Sequence, residues 1–282
     1  MGKNKEFDIV ITPENRGGSS VISELFRYKD MMLLMLRRDI IANYKQTILG
    51  PTWAVIQPIV SAIITAFVFG GLAGLSPSGI PTFLFYMIGQ VSWGFFSGSL
   101  NGSANVFLNH SGLLSKVYFP RFVMPITDVM SRCISLLIQL AIFAAFYIGF
   151  VISGAAIRPH WTIVLLPFYL AHLAVIGVGV GSILSAFTTK YRDTVFLIGY
   201  LTSFWSYLSP IVYDIGIVPE RFLKIYLLNP VAPVINHIRY AVFSQGMLTW
   251  NYYFISLAVG ILLLIAGYKV FNKTERTFID TI

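Results

Sequence analysis

Charge is what this 282-residue sequence has least of: only 11% of its positions are Asp, Glu, Lys or Arg. A soluble domain covers itself with roughly 25% charged residues, so a chain with less than half that share leaves much of its surface to lipid. Cysteine is nearly absent, and the lone Cys133 excludes an intrachain disulfide. No G-x-x-x-x-G-K-[ST] phosphate loop occurs, which excludes ATP binding by that device. Segments of about ten residues with alternating polarity, the mark of a membrane β-barrel, are missing. The twelve acids are scattered, six of them before residue 40, which argues against the clustered carboxylates of a glycosyltransferase or hydrolase. The first 20 residues hold no apolar core of a secretory signal, so targeting is expected from the first membrane spans.

Apolar residues, in contrast, make up 56% of the chain, and the mean hydropathy is +0.74. Asp, Glu, Lys and Arg are absent from residues 46–115, 133–157, 159–189, 194–213 and 240–268. A hydrocarbon core of about 30 Å takes about 20 apolar residues to cross as helix. The first stretch therefore holds two spans around the turn residues Ser76-Pro77-Ser78-Gly79, and the other four hold one each. The expected spans are 54–74, 83–105, 128–152, 161–187, 194–214 and 252–271.

Basic residues orient these spans. Eight precede the first: Lys3, Lys5, Arg16, Arg27, Lys29, Arg37, Arg38 and Lys45. On the same side stand Lys116, Arg121 and Arg132 between spans 2 and 3, Lys190 and Arg192 between spans 4 and 5, and Lys269, Lys273 and Arg276 in the tail. The other side has only Arg158, Arg221, Lys224 and Arg239. Positive loops stay cytoplasmic, so both termini are expected inside. The same distribution accounts for the net charge of +8 without nucleic acid as a partner.

Few ionisable groups fall inside the spans. Asp128 and Arg132 are spaced to pair on one helix face at the cytoplasmic end of span 3. His172 is the only one deep within a span, and it reads as a hydrogen-bonding group between helices rather than a proton relay. His110, His160 and His237 fall in expected loops with no partner at metal-ligand spacing, so no metal site is expected. Neither mid-membrane acids nor repeated halves point to an ion-coupled transporter.

Ahead of the first span, Ile22, Leu25, Phe26, Met32, Leu33 and Leu36 fall on one helical face, with Glu24, Arg27, Tyr28, Asp30, Arg37 and Arg38 around the rest. Ser20 is placed to cap it. The segment is too short and too charged to span, so it is expected to lie in the cytoplasmic interface. Two roles fit the pattern: an anchor and topology signal, or a lever that meets a cytoplasmic partner. The organisation expected is a flexible arm over 1–19, an interface helix and linker over 20–45, a six-helix transmembrane domain over 46–271 and a tail over 272–282.

Aromatic residues make up 15% of the chain and concentrate in two spans. In span 5, Phe196, Tyr200, Phe204 and Tyr207 form a stripe with Trp205 beside it; in span 2, Tyr86, Gln90, Trp93 and Ser97 share a face near Phe95 and Phe96. Flat rings offer apolar faces on which the C–H faces of a sugar slide. Packing between helices and the interfacial aromatic belt explain the same residues equally well.

The loops carry a resemblance. Tyr44-Lys45-Gln46-Thr47-Ile48-Leu49-Gly50-Pro51-Thr52-Trp53-Ala54 and Gln57-Pro58 resemble the entry to the first span of ABC-2 type polysaccharide export permeases. Glu24-Leu25-Phe26-Arg27-Tyr28-Lys29-Asp30 with Arg37-Arg38-Asp39-Ile40 resembles that family's interface helix, and Lys116-Val117-Tyr118-Phe119-Pro120-Arg121 its coupling loop. Tyr191-Arg192-Asp193, Ser209-Pro210-Ile211-Val212-Tyr213, Leu228-Asn229-Pro230 and Arg239-Tyr240 match its second half in order, so the resemblance covers residues 20–269.

The resemblance implies an all-α integral membrane fold in the bacterial cytoplasmic membrane: six transmembrane helices per protomer, an interface helix, and short re-entrant external helices between spans 5 and 6. It implies a homodimer lining a path for a lipid-linked glycan, O-antigen before capsule or teichoic acid. Two copies of a separate nucleotide-binding subunit would supply ATP and Mg chemistry, with no cofactor in this chain. Tyr86, Trp93, Phe95, Phe96, Phe196, Tyr200, Phe204, Trp205 and Tyr207 are then the candidate channel residues. Leu114, Lys116, Tyr118, Phe119 and Arg121 are the candidate ATPase-coupling residues, and Leu25, Phe26, Arg27, Arg37 and Arg38 belong to the interface helix. An ATP-independent flippase or channel, or a membrane enzyme of glycolipid assembly, stands as the alternative.

Overall fold

The structure, a computed structural model, describes residues 28–45, 52–75, 77–110, 112, 120–191 and 193–279, and among these there is no β-strand. Helix α1 spans Lys29–Lys45; α2 is Trp53–Thr65, continued by a π-helical turn over Ala66–Leu72; α3 is Thr82–Ala104, followed by the single turn α4, Val106–Asn109. Then come α5 (Val123–Ile152), α6 (Leu166–Lys190, entered through a 3-10 turn at Trp161–Leu165), α7 (Thr194–Tyr207), α8 (Glu220–Leu227), α9 (Val231–Phe243) and α10 (Trp250–Ile279).

Four helical stretches are long and apolar enough to cross a membrane: Trp53–Leu72, Val123–Ile152, Trp161–Lys190 and Trp250–Thr274. They coincide with expected spans 1, 3, 4 and 6. The other two expected spans differ from the pattern in separate ways. Helix α3 has 23 residues and so about 34 Å of length, but it carries Gln90, Asn101, four serines and four glycines. Fifteen of its residues are buried, so protein rather than lipid surrounds it, and its hydropathy need not be high. Helix α7 has 14 residues, about 21 Å, and ends at Tyr207 rather than 214 because Ser209 and Pro210 turn the chain.

Packing centres on α6. A Cβ added at Gly177 would stand 2.9 Å from the Phe96 carbonyl oxygen, and one at Gly181 would clash with that of Leu100, so α6 and α3 meet backbone to backbone. Round the helix, a Cβ added at Gly179 would stand 2.7 Å from the Leu263 carbonyl carbon, and one at Gly267 of α10 would stand 2.5 Å from the Gly179 oxygen. Between apolar helices in lipid there is little hydrophobic drive, so close contact of small residues supplies the association energy. The Thr188 hydroxyl donates to the Ala104 oxygen at 2.6 Å and closes the α3–α6 seam.

The helices run alternately between two ends. At one, Met35 of α1 packs with Val106, Phe107, Phe122, Met124 and Phe271. At the other, α9 is buried along twelve of its thirteen residues, with Tyr147 of α5 donating to the Val242 oxygen at 3.1 Å and the His160 N–H to the Ala241 oxygen at 2.9 Å. The segment 214–251, too apolar to hang in water, is therefore helical and half internal. Its prolines start helices rather than break them: Pro219 and Pro230 immediately precede α8 and α9, and Pro233 lies in the first turn of α9, where no N–H is needed.

Two expectations are corrected here. Arg239 and His237, read as loop residues, lie in α9 and are buried, as is His110 at the end of α4. On α1, Met32 and Met35 are buried while Leu33 is 56% exposed, so the packed face is turned from the one expected. Residues 20–27 lie outside the described residues. A direct check of the seam is Gly181→Leu, which should lower stability by about 1–3 kcal/mol or block folding, whereas Gly199→Ala, with open space around its Cβ position, should leave the thermal midpoint in detergent unchanged.

Candidate functional site

A cleft of about 560 Å³ opens between α2, α3 and α5, lined by Trp53, Gln57, Ser61, Gln90, Trp93, Phe95, Arg132, Ser135 and Gln139 among others. Its chemistry follows from three local features. Pro58, buried on α2, is one residue from Gln57. Gln90 of α3 donates to the Thr65 hydroxyl at 2.6 Å, which ties α2 to α3 above the cleft. Arg132 of α5 donates through Nε to Asp128 Oδ2 at 2.9 Å, the intrahelical pair expected from the spacing. Amides, hydroxyls and two indoles give a lining rich in hydrogen-bonding groups with one cation, which suits a hydroxyl-rich or phosphorylated guest.

The candidate channel residues fall into three places. Trp93 and Phe95 line this cleft. Phe196, Tyr200, Phe204 and Tyr207 form an outward stripe on α7, each 67–74% exposed. Tyr86 and Phe96 lie fully inside the bundle; the Tyr86 hydroxyl donates to the Leu75 oxygen at 3.2 Å. Phe96 bridges the other two sets, with its ring 5.0 Å from Trp93 and 5.1 Å, edge to face, from Trp205. A chain of rings thus runs from the cleft to α7.

Trp205 leads on to a polar node. Its Nε1–H donates to Asn229 Oδ1 at 2.9 Å, which also accepts the Val231 N–H at 3.1 Å. Asn229 Nδ2 donates to the Leu208 oxygen at 2.8 Å and to the Ser209 hydroxyl at 3.0 Å. Close by, Arg239 lies 3.7 Å over the Phe85 ring and donates to the oxygens of Ile211 at 2.5 Å and Tyr213 at 2.9 Å. A Cβ on Gly89 would stand 2.6 Å from its Nη2, so only glycine leaves room. The motifs at 209–213, 228–230 and 239 are therefore three sides of one joint.

A family model described as ABC-2 type transporter matches residues 31–243. The chain belongs to that family. Relatives of similar length include two O-antigen export system permease proteins RfbA from Klebsiella pneumoniae, each 27% identical over 89% of this chain and 94% of the relative. A third, from Myxococcus xanthus, bears the same name and is 24% identical over 93% of this chain and 99% of its own.

In this ABC-2 protein the remaining candidates divide sharply. Leu25, Phe26, Arg27, Leu114, Lys116, Tyr118 and Phe119 lie outside the described residues. Arg121 is buried at the turn into α5, while Arg37 is exposed and Arg38 pairs with Asp39 at 2.8 Å. Sequence reasoning missed Gln57, Ser61 and Gln139 as a set, since they come from two helices that only folding brings together. Arg239 was signalled only by its motif. Asn229→Ala strands the Trp205 and Val231 N–H groups and the Leu208 oxygen, so it should lower stability by about 1–3 kcal/mol, read as the thermal midpoint in detergent; Asn229→Asp, which keeps the acceptor, should lose less.

Proposed function

We propose that this chain is the transmembrane permease subunit of an ATP-driven ABC exporter that moves a lipid-linked polysaccharide, O-antigen in class, across the bacterial cytoplasmic membrane. The observation that carries this reading is the near full-length similarity to permeases named for O-antigen export, within a family match that spans most of the helical core.

In this reading all six expected helices cross the bilayer, α3 and α7 inside the assembly, with both termini cytoplasmic and α8 and α9 re-entrant from the outer side. Two copies face each other. The exposed rings of α7 then turn toward the glycan path, where stacking without fixed hydrogen bonds lets a polymer pass unit by unit. The cleft of α2, α3 and α5 supplies amides and hydroxyls at the cytoplasmic half. Hydrolysis belongs to two copies of a separate nucleotide-binding subunit. That subunit docks on the loop holding Leu114, Lys116, Tyr118 and Phe119 and on the helix of Arg37 and Arg38. Its closure moves α1 and α5, which pack together through Met35, Phe122 and Met124.

Two outcomes are expected. Full-length tagged protein purified from its host's membranes should carry a P-loop ATPase that hydrolyses ATP in the complex, and Phe119→Asp should abolish that association while the permease still inserts; purification without any ATPase would remove the exporter reading. Tyr200→Ala with Phe204→Ala should reduce surface glycan several-fold at equal expression, read by blotting the extracted polymer; unchanged export would assign the α7 rings to packing.

A further inference from the structure

Arg132 stands where two cavities meet. It and Ser135 line the cleft described above and also a second cavity of about 340 Å³, which lies toward the α1 end and is lined by Arg38, Asp39, Asn109, His110, Asp128 and Ser131. Its Nε is held by Asp128, and among the described residues no acceptor engages its two Nη groups. Room for the pair comes from α3. A Cβ on Gly98 would stand 2.7 Å from Nη1, one on Gly102 would stand 2.9 Å from Nη2, and the latter would overlap the Asp128 carboxylate. Unlike the backbone contacts at Gly177 and Gly181, this glycine pair opens a slot for an ion pair.

A guanidinium tied through Nε to one carboxylate, 37% exposed and lining two polar cavities, is suited to a phosphoryl group, which it grips with two parallel N–H donors. Depth selects a lipid as the bearer. Helix α5 has 30 residues, about 45 Å against a hydrocarbon core of about 30 Å. Nine residues in from Val123, Arg132 therefore lies within roughly a turn of the hydrocarbon edge, where headgroups sit. The cleft is also lined by the apolar side chains of Trp53, Val91, Phe95 and Leu136, with Trp53 exposed at its mouth, as an acyl or prenyl chain requires.

We propose that Arg132 binds the phosphoryl headgroup of a membrane lipid in the α2–α3–α5 cleft, and that Asp128 is the internal anion the headgroup displaces. Competition from a built-in carboxylate keeps the hold weak enough for release, which a transport path requires of every site along it. Two lipids share this chemistry: a carrier whose phosphoryl group bears the glycan, and an ordinary anionic phospholipid. The proposal rests on the exporter reading for the first identity and not for the site itself.

The test is binding of farnesyl diphosphate, and separately of short-chain phosphatidylglycerol, to the purified full-length protein in a neutral detergent, followed by calorimetry. Arg132→Gln should weaken binding about tenfold or more, Arg132→Lys should weaken it less, and Asp128→Asn should tighten it. Tighter binding of the prenyl diphosphate supports the glycan carrier as occupant; equal or tighter binding of phosphatidylglycerol with the same mutational signs keeps the site and overturns the carrier. Equal affinity of wild type and Arg132→Gln for both lipids overturns the proposal. So does a loss of binding in Asp128→Asn, because a merely structural brace weakens from either side. Failure to recover an ATPase would leave this result standing, and the two readings can fail separately.

Discussion

Backbone contact at α6 is the constraint on which the rest of the structure depends. Its glycines at 177 and 181 admit α3 and the one at 179 admits α10. With α6 pressed between them, α3 is enclosed and freed from the need to be apolar. A helix freed in that way carries Gln90, Trp93 and the 98–102 slot, the groups that give the cleft its character. Had α3 faced lipid, those residues would have been costly, since polar side chains there need partners the hydrocarbon cannot supply.

The second principle is that charge is admitted only where geometry satisfies it. Arg239 is buried against carbonyl oxygens and an aromatic face, which fixes the chain between α7 and α8 to α3 and α9. Arg132 is half-satisfied by one carboxylate and opens onto cavities. One cation holds a joint shut and the other lines two cavities, though both sit on helices near glycines that make space for them. Asn229 completes the joint by using both ends of its amide, so the aromatic chain Trp93–Phe96–Trp205 ends on a rigid mount.

Much of this was legible in the sequence, and the exceptions have physical causes. Long apolar runs revealed helices α2, α5, α6 and α10, since lipid exposure leaves a strong periodicity-independent signal. The Asp128–Arg132 pair followed from spacing alone, because both residues sit on one helix. Helix α7 ended early at a turn that an apolar stretch concealed, and residues 231–243 carry no helical signal in charge or hydropathy, although the resemblance implied short helices between spans 5 and 6 and α9 is one, buried along most of its length. The packed face of α1 was misjudged because Leu33 and Met35 are equally apolar, and only the docked position of Phe122 and Phe271 decides between them. The cleft was invisible because its lining comes from three helices far apart in the chain.

The central claim is that the chain carries a lipid-linked glycan across the membrane on behalf of an ATPase. The most direct measurement is radiolabelled glycan in a host strain lacking this gene, fractionated into lipid-linked intermediates and surface polymer. The account predicts that finished lipid-linked polymer accumulates inside while surface polymer disappears, and that the wild-type gene restores both. Undiminished surface polymer in the deletion strain would contradict it.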